Sequence, residues 1–175
     1  MNWDAIGAIG EIVGAAGVIA SLVYLSIQIR RSDQSTRAQS LQTVLDGHRD
    51  RTLLNIYTNS EFSIMLSKGM TNFELLSSDE KPRFQTFVTE LVLQMQQVMQ
   101  LHEGGLLPKV DFDAWLYYTA TVIRSPGAQA CWPYIETTIT PTIKDLLNNY
   151  LKDNPDTPSY NEINPLWTYS GANDT

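Results

Sequence analysis

The chain has a single cysteine, Cys131, in 175 residues. One thiol can make neither an internal disulfide nor a multi-cysteine metal site, which excludes both a disulfide scaffold and a zinc ribbon. Histidine is nearly as scarce. His48 and His102 are far apart in sequence, and no HxxxH or ExxH spacing accompanies them, so the pattern offers no helical metal site. Charged residues are sparse at 18%, and basic ones are in the minority, with 12 Lys and Arg against 19 Asp and Glu for a net charge of −7. General nucleic-acid binding needs basic surface and is excluded on that ground. Apolar residues, by contrast, reach 43%. That composition, at this length, gives one folded domain or one domain plus an appendage, not a disordered chain. The mean hydropathy of −0.18 is that of an ordinary soluble protein, but it averages over an uneven chain.

The unevenness begins near the start. Residues Ala5 to Ile27 read AIGAIGEIVGAAGVIASLVYLSI, with Glu11 the only charge. As a helix this run is about 35 Å long, enough to cross a hydrocarbon core of about 30 Å. Asn2 or Asp4 can cap its start, Trp3 suits one membrane interface, and Tyr24, Gln28, Arg30 and Arg31 mark the other end. Arg30, Arg31 and Arg37 follow the run while no basic side chain precedes it. The positive-inside rule therefore predicts an orientation with the N-terminus outside and the C-terminal domain cytoplasmic. A free cysteine suits that reducing side. Three other readings compete. A cleavable signal peptide would carry its basic residues before the apolar run. An interfacial helix would show a charged face. A buried central helix of a soluble bundle is the more serious rival, because Glu11 and the glycines dilute the hydrophobicity.

The glycines carry more information than the hydrophobicity. Gly7, Gly10, Gly14, Gly17 and Ser21 are spaced 3, 4, 3 and 4, a heptad seam of small residues. A mid-helix glycine costs up to about 1 kcal/mol relative to alanine, so four on one stripe ask for a reason. Close helix–helix approach in a bilayer supplies one, and a strict 3.5-residue repeat favours a left-handed crossing. The alternative is that membrane helices are simply glycine-rich. The seam is therefore the predicted oligomer interface. Glu11 flanks it as a candidate intramembrane polar site, serving either assembly or a cation or proton path.

Helical periodicity continues after Arg31. Leu41, Leu45, His48, Thr52 and Ile56 share one face, which predicts a helix from about Asp4 to about Tyr57. Asn59 or Ser60 can cap a short helix through Leu66, ended by Gly69. Ser77-Ser78-Asp79-Glu80 is a capping-box signal before a helix carrying Phe84, Phe87, Val88, Leu91, Met95, Val98 and Met99, closed by Gly104-Gly105. Asp111 is the expected cap of the next helix, with Phe112, Trp115, Leu116, Thr119, Val122 and Ile123. Further helices begin at Pro126 and at Thr140-Pro141, the latter stopped by Asn154-Pro155. No run alternates as a strand would. The predicted fold is all-α: residues 1–31 a transmembrane helix, 32–152 a helical bundle, and 153–175 a proline-containing tail whose Tyr160, Trp167 and Tyr169 wrap over a neighbouring surface. Residues 1–60 balance five acids with five arginines, so the whole net charge of −7 belongs to the remainder.

No enzyme constellation emerges, and no cofactor or metal is expected. Cys131 beside Trp132 reads as a buried small hydrophobe with no nearby base. Asp111 and Asp113 are explained as helix-start residues, and the stripe from Phe84 to Met99 as core or, less simply, a partner groove. The segment with Trp3, Ala5-Ile6-Gly7, Glu11-Ile12 and the exit Tyr24-Leu25-Ser26-Ile27-Gln28-Ile29-Arg30 resembles an uncharacterised family of small bacterial proteins. That family opens on W-x-AIG-x-I-x-EI and continues into a helical second half, which Trp115, Trp132 and the Thr140-Pro141 helix resemble here. The resemblance implies a membrane-anchored helical protein of the bacterial inner membrane and brings no catalytic residue. The expectation is a non-enzymatic, single-pass membrane protein that self-associates through its glycine seam as a scaffold, with ion conduction through Glu11 as an extension. The alternative is an anchored accessory or partner-binding module of a larger membrane complex. An enzyme is a third reading.

Overall fold

The computed structural model describes residues 3–48 and 58–171; side chains of residues 3–10, 12, 13, 37, 38, 40, 41, 44, 45 and 48 fall outside that description. Every regular element among the described residues is helical. Helix α1 spans Trp3–His48, and the predicted continuation to Tyr57 lies outside the described residues. It is followed by α2 (Ser60–Thr71), α3 (Glu80–Glu103), α4 (Lys109–Ile123), α5 (Pro126–Ile135), α6 (Pro141–Asp153) and α7 (Tyr160–Ile163), with 3-10 turns at Phe73–Leu75 and Pro165–Trp167. The chain divides into two compact units, Met1–Ser40 and Leu41–Thr175. Position 31, the sequence boundary between helix and bundle, falls within the uninterrupted α1.

The helix starts follow local chemistry. Asn59 accepts a hydrogen bond from the Phe62 N–H at 3.1 Å and caps α2. At α3 the Ser77 N–H donates to Glu80 at 2.8 Å while the Glu80 N–H reaches the Ser77 hydroxyl at 3.4 Å, the reciprocal pair of a capping box. Those bonds favour the ionised carboxylate and hold Glu80 below its ordinary titration range. Proline opens α5 and α6 at the first turn, where its missing N–H costs nothing. At the end of α3, Gly105 takes φ +69°, with Leu106 N–H on the Leu101 carbonyl and Gly105 N–H on that of His102, a Schellman closure.

Two local expectations are corrected. Asp111 is not a cap: α4 starts two residues earlier, at Lys109 behind Pro108, and Asp111 sits in its first turn. Gly69 does not end its helix, since α2 runs through it to Thr71. A side chain at Gly69 would collide with the Phe84 ring, and one at Gly127 with the Gly69 carbonyl. Gly69 thus makes room for Phe84 of α3, and Gly127 lets the backbone of α5 approach that of α2.

Helix α3 is the spine of the second unit. Its first half contributes Phe84, Val88 and Leu91 to a core cluster with Met65, Leu66 and Met70 of α2 and Ala128, Cys131 and Ile135 of α5. Its second half contributes Val92, Met95, Val98 and Met99 to another, with Leu116 and Ile123 of α4 and Ile143 and Leu147 of α6. Trp132 and Ile139 pack against both clusters. Residues after α6 form a strap. Tyr160 and Trp167 pack on the first cluster and stack edge-on, with Tyr160 also edge-on to Tyr118. The strap is pinned to two hydroxyls one turn apart on α2: Ser67 donates to the Trp167 carbonyl at 3.2 Å, and Thr71 accepts the Tyr169 N–H at 2.9 Å.

Candidate functional site

On α1 the amino acids dictate an unusual surface. At 3.6 residues per turn, positions 7, 10, 14, 17 and 21 fall within a sector of about 80°, and the bulky residues from Val18 to Ile29, apart from Leu25 at the edge of that sector, are distributed around the remaining circumference. Of the seam, Gly14 and Gly17 have only open space where a side chain would project, and the Ser21 hydroxyl donates back to the Gly17 carbonyl at 2.9 Å. Satisfied by its own helix, Ser21 leaves the stripe smooth. Gly7 and Gly10 lie among the residues whose side-chain surroundings are not described.

Around the rest of the helix Val18, Ile19, Leu22, Val23, Tyr24, Leu25, Ile27 and Ile29 are each 47–62% exposed. A water-facing helix normally turns such residues to one side. Here there is almost no amphipathic asymmetry, and the apolar side chains point outward in most directions. At the polar end, the Gln28 amide donates to the Tyr24 hydroxyl at 2.8 Å. Arg30 and Arg31 follow, exposed, as is Glu11 at the other end of the described seam. No helix among the described residues is by itself long and apolar enough to cross a membrane.

The second unit offers less chemistry. Cys131 is fully buried, its thiol donating to the Ala128 carbonyl at 3.4 Å, and burial pushes the thiol up to about 11, where no nucleophilic thiolate forms near neutrality. His102 stacks on Phe112 at 4.6 Å, and its Nδ1 lies 2.9 Å from the Leu107 carbonyl oxygen. Since a carbonyl only accepts, Nδ1 carries the proton, and the ring ties the α3–α4 loop to its helix. His48 lies outside the described side chains. Asp113 pairs with Lys109 one turn away at 2.6 Å. The stripe from Phe84 to Met99 is core, with Phe84, Val88, Met95 and Val98 wholly buried. No group of three or more His, Cys, Asp or Glu that could hold a metal ion occurs among the described residues.

A cleft of about 300 Å³ between α2 and the start of α3, lined by Phe62, Met65, Lys68, Asp79, Glu80 and Arg83 among others, was not foreseen. Its polar groups appear in the sequence as helix-start signals, and that is how they are used: Glu80 caps α3 and pairs with Lys68 at 3.6 Å, while Asp79 accepts from Ser77 at 2.8 Å. No family model, curated protein or solved structure matches the chain.

Proposed function

We propose that the chain is a membrane-anchored, non-enzymatic helical protein that self-associates through the small-residue seam of α1 and presents its acidic second unit to the cytoplasm of a bacterial cell. The observation that carries this reading is the surface of α1 from Val18 to Ile29, whose large apolar side chains are exposed in most directions around the helix. Water would leave this surface unfavourably hydrated, at roughly 25 cal/mol per Å² of apolar area. A bilayer satisfies all directions at once, whereas a single soluble partner covers one. The apolar run continues in the sequence to Ala5, which brings the stretch to membrane-spanning length.

The seam supplies the reason to assemble. Helices in lipid gain little from apolar surface alone and associate where small residues let backbones approach. Open space at Gly14 and Gly17, with Ser21 bonded to its own helix, leaves that approach unobstructed. Glu11 borders the seam and would lie beside a neighbouring copy, where an intramembrane carboxylate is stabilised by a protein partner. The resemblance of residues 3–30 to membrane-anchored bacterial proteins agrees with this reading.

The test is the mass of the full chain in mild detergent. The expected result is a defined homo-oligomer that Gly14→Leu shifts to smaller species, since a leucine fills the seam. A monomeric wild type, or an oligomer that Gly14→Leu leaves unchanged, overturns self-association through the seam. A wild-type monomer that copurifies with a larger membrane complex establishes the accessory-module alternative instead.

A further inference from the structure

On the reading of α1 as a membrane span, we infer that Arg30 and Arg31 form a recognition collar for the phosphates of anionic lipids in the leaflet from which the helix emerges. The geometry is set by the helix itself. Residues 5–27 centre on Ala16, and α1 runs without interruption from Trp3 to His48. With Ala16 at the midplane, a rise of 1.5 Å per residue places Arg30 and Arg31 about 21 and 22 Å out. The hydrocarbon boundary lies near 15 Å and the outer edge of the headgroup layer near 22 Å, so both Cα atoms lie at that edge, and the long side chains, which lean toward the helix N-terminus, reach back to the phosphates.

Three observations favour an anionic ligand there. Both arginines are exposed, and neither makes an ion pair or hydrogen bond with another described side chain. The polar pair Tyr24 and Gln28, bonded to each other at 2.8 Å, lies below them, Gln28 by less than a turn and Tyr24 by nearly two, at about 18 and 12 Å from the midplane, where the medium changes from apolar to polar. The nearest acidic residue in sequence, Asp33, is at about 25 Å, outside the phosphate layer. Guanidinium matches phosphate in geometry and charge, whereas the chain beyond residue 60 carries a net charge of −7.

The test uses the full chain in nonionic detergent, titrated with fluorescent phosphatidylglycerol or fluorescent phosphatidylcholine and followed by anisotropy. Phosphatidylglycerol is expected to bind on the order of tenfold more tightly, given the usual contribution of basic residues at an anionic surface. That preference should decline with salt, vanish in Arg30→Gln/Arg31→Gln and strengthen in Asp33→Asn. Equal affinity for the two lipids, or a preference that survives the double substitution, overturns the inference. Displacement of the labelled lipid by millimolar inorganic phosphate reassigns the pair to free anions and also overturns it. Vesicle flotation separates this from the anchor itself. A chain that floats with both lipid compositions but shows no headgroup preference loses only the collar, whereas one that floats with neither loses the anchor.

Discussion

Thr119 lies in the bundle interior with no solvent exposure, and its hydroxyl oxygen has no hydrogen-bond partner. Burying a hydroxyl without compensation costs roughly 1–3 kcal/mol. Valine has nearly the same shape without the polar atom, so Thr119→Val is expected to stabilise the fold by about 1 kcal/mol, read as a higher denaturant midpoint at unchanged slope. A lower midpoint would show that the hydroxyl is satisfied in solution. Arg124 is satisfied only in part, since its buried Nε also lacks a hydrogen-bond partner. Its guanidinium donates to the Leu151 and Pro155 carbonyls, each at 3.1 Å, and so closes the C-terminal end of α6. Neither role could be read from the neighbouring letters: Thr119 was legible only as one member of an apolar face, and the partners of Arg124 lie 27 and 31 residues away.

Elements were legible where their signals are local. A cap, a proline at the first turn or a Schellman glycine acts on backbone groups within about four residues. The starts of α2, α5 and α6 and the end of α3 accordingly lie where the sequence put them. Asp111 failed as a cap because Pro108 and Lys109 begin α4 one turn sooner, and an acidic residue suits the first turn as well as the cap. Gly69 failed as a stop because glycine also makes room for close packing, here of the Phe84 ring, a second meaning that sequence spacing does not distinguish. The approach of α5 to α2 makes its own prediction. A methyl group at Gly127 would meet the Gly69 carbonyl, which is backbone and cannot rotate away, so Gly127→Ala should destabilise by about 3 kcal/mol, near the upper end of overpacking costs. The mutation should be visible as a fall of several degrees in the melting temperature. An unchanged melting temperature would mean that α2 and α5 are further apart than described. Gly105→Ala is the contrast, since there the strain comes from φ +69° and not from any neighbour.

For the whole molecule, the division into Met1–Ser40 and Leu41–Thr175 separates two kinds of stability. Both core clusters are built from residues between Met65 and Leu147, and the strap that covers one of them is held by Ser67 and Thr71. A chain beginning at Leu41 is therefore expected to unfold cooperatively by circular dichroism and to stay in the supernatant of a vesicle-flotation gradient, while the full chain floats. A shortened chain without a cooperative transition would show that the first unit is needed for folding, and one that still floats would place membrane affinity elsewhere.

What the amino-acid sequence determined by itself is the all-helical class, most helix starts, the concentration of acidity beyond residue 60 and the segregation of small from large residues on α1. Each of these follows from composition or from periodicity within a turn or two of helix. Tertiary structure alone decided that α5 meets the α2 backbone at Gly127, that Phe84 packs on Gly69, that Arg124 closes a distant helix, that Thr71 holds the strap, and that the apolar side chains from Val18 to Ile29 stand uncovered. Those outcomes depend on which segments meet after the chain has folded, and contact between residues distant in sequence leaves no regular spacing from which it could be read.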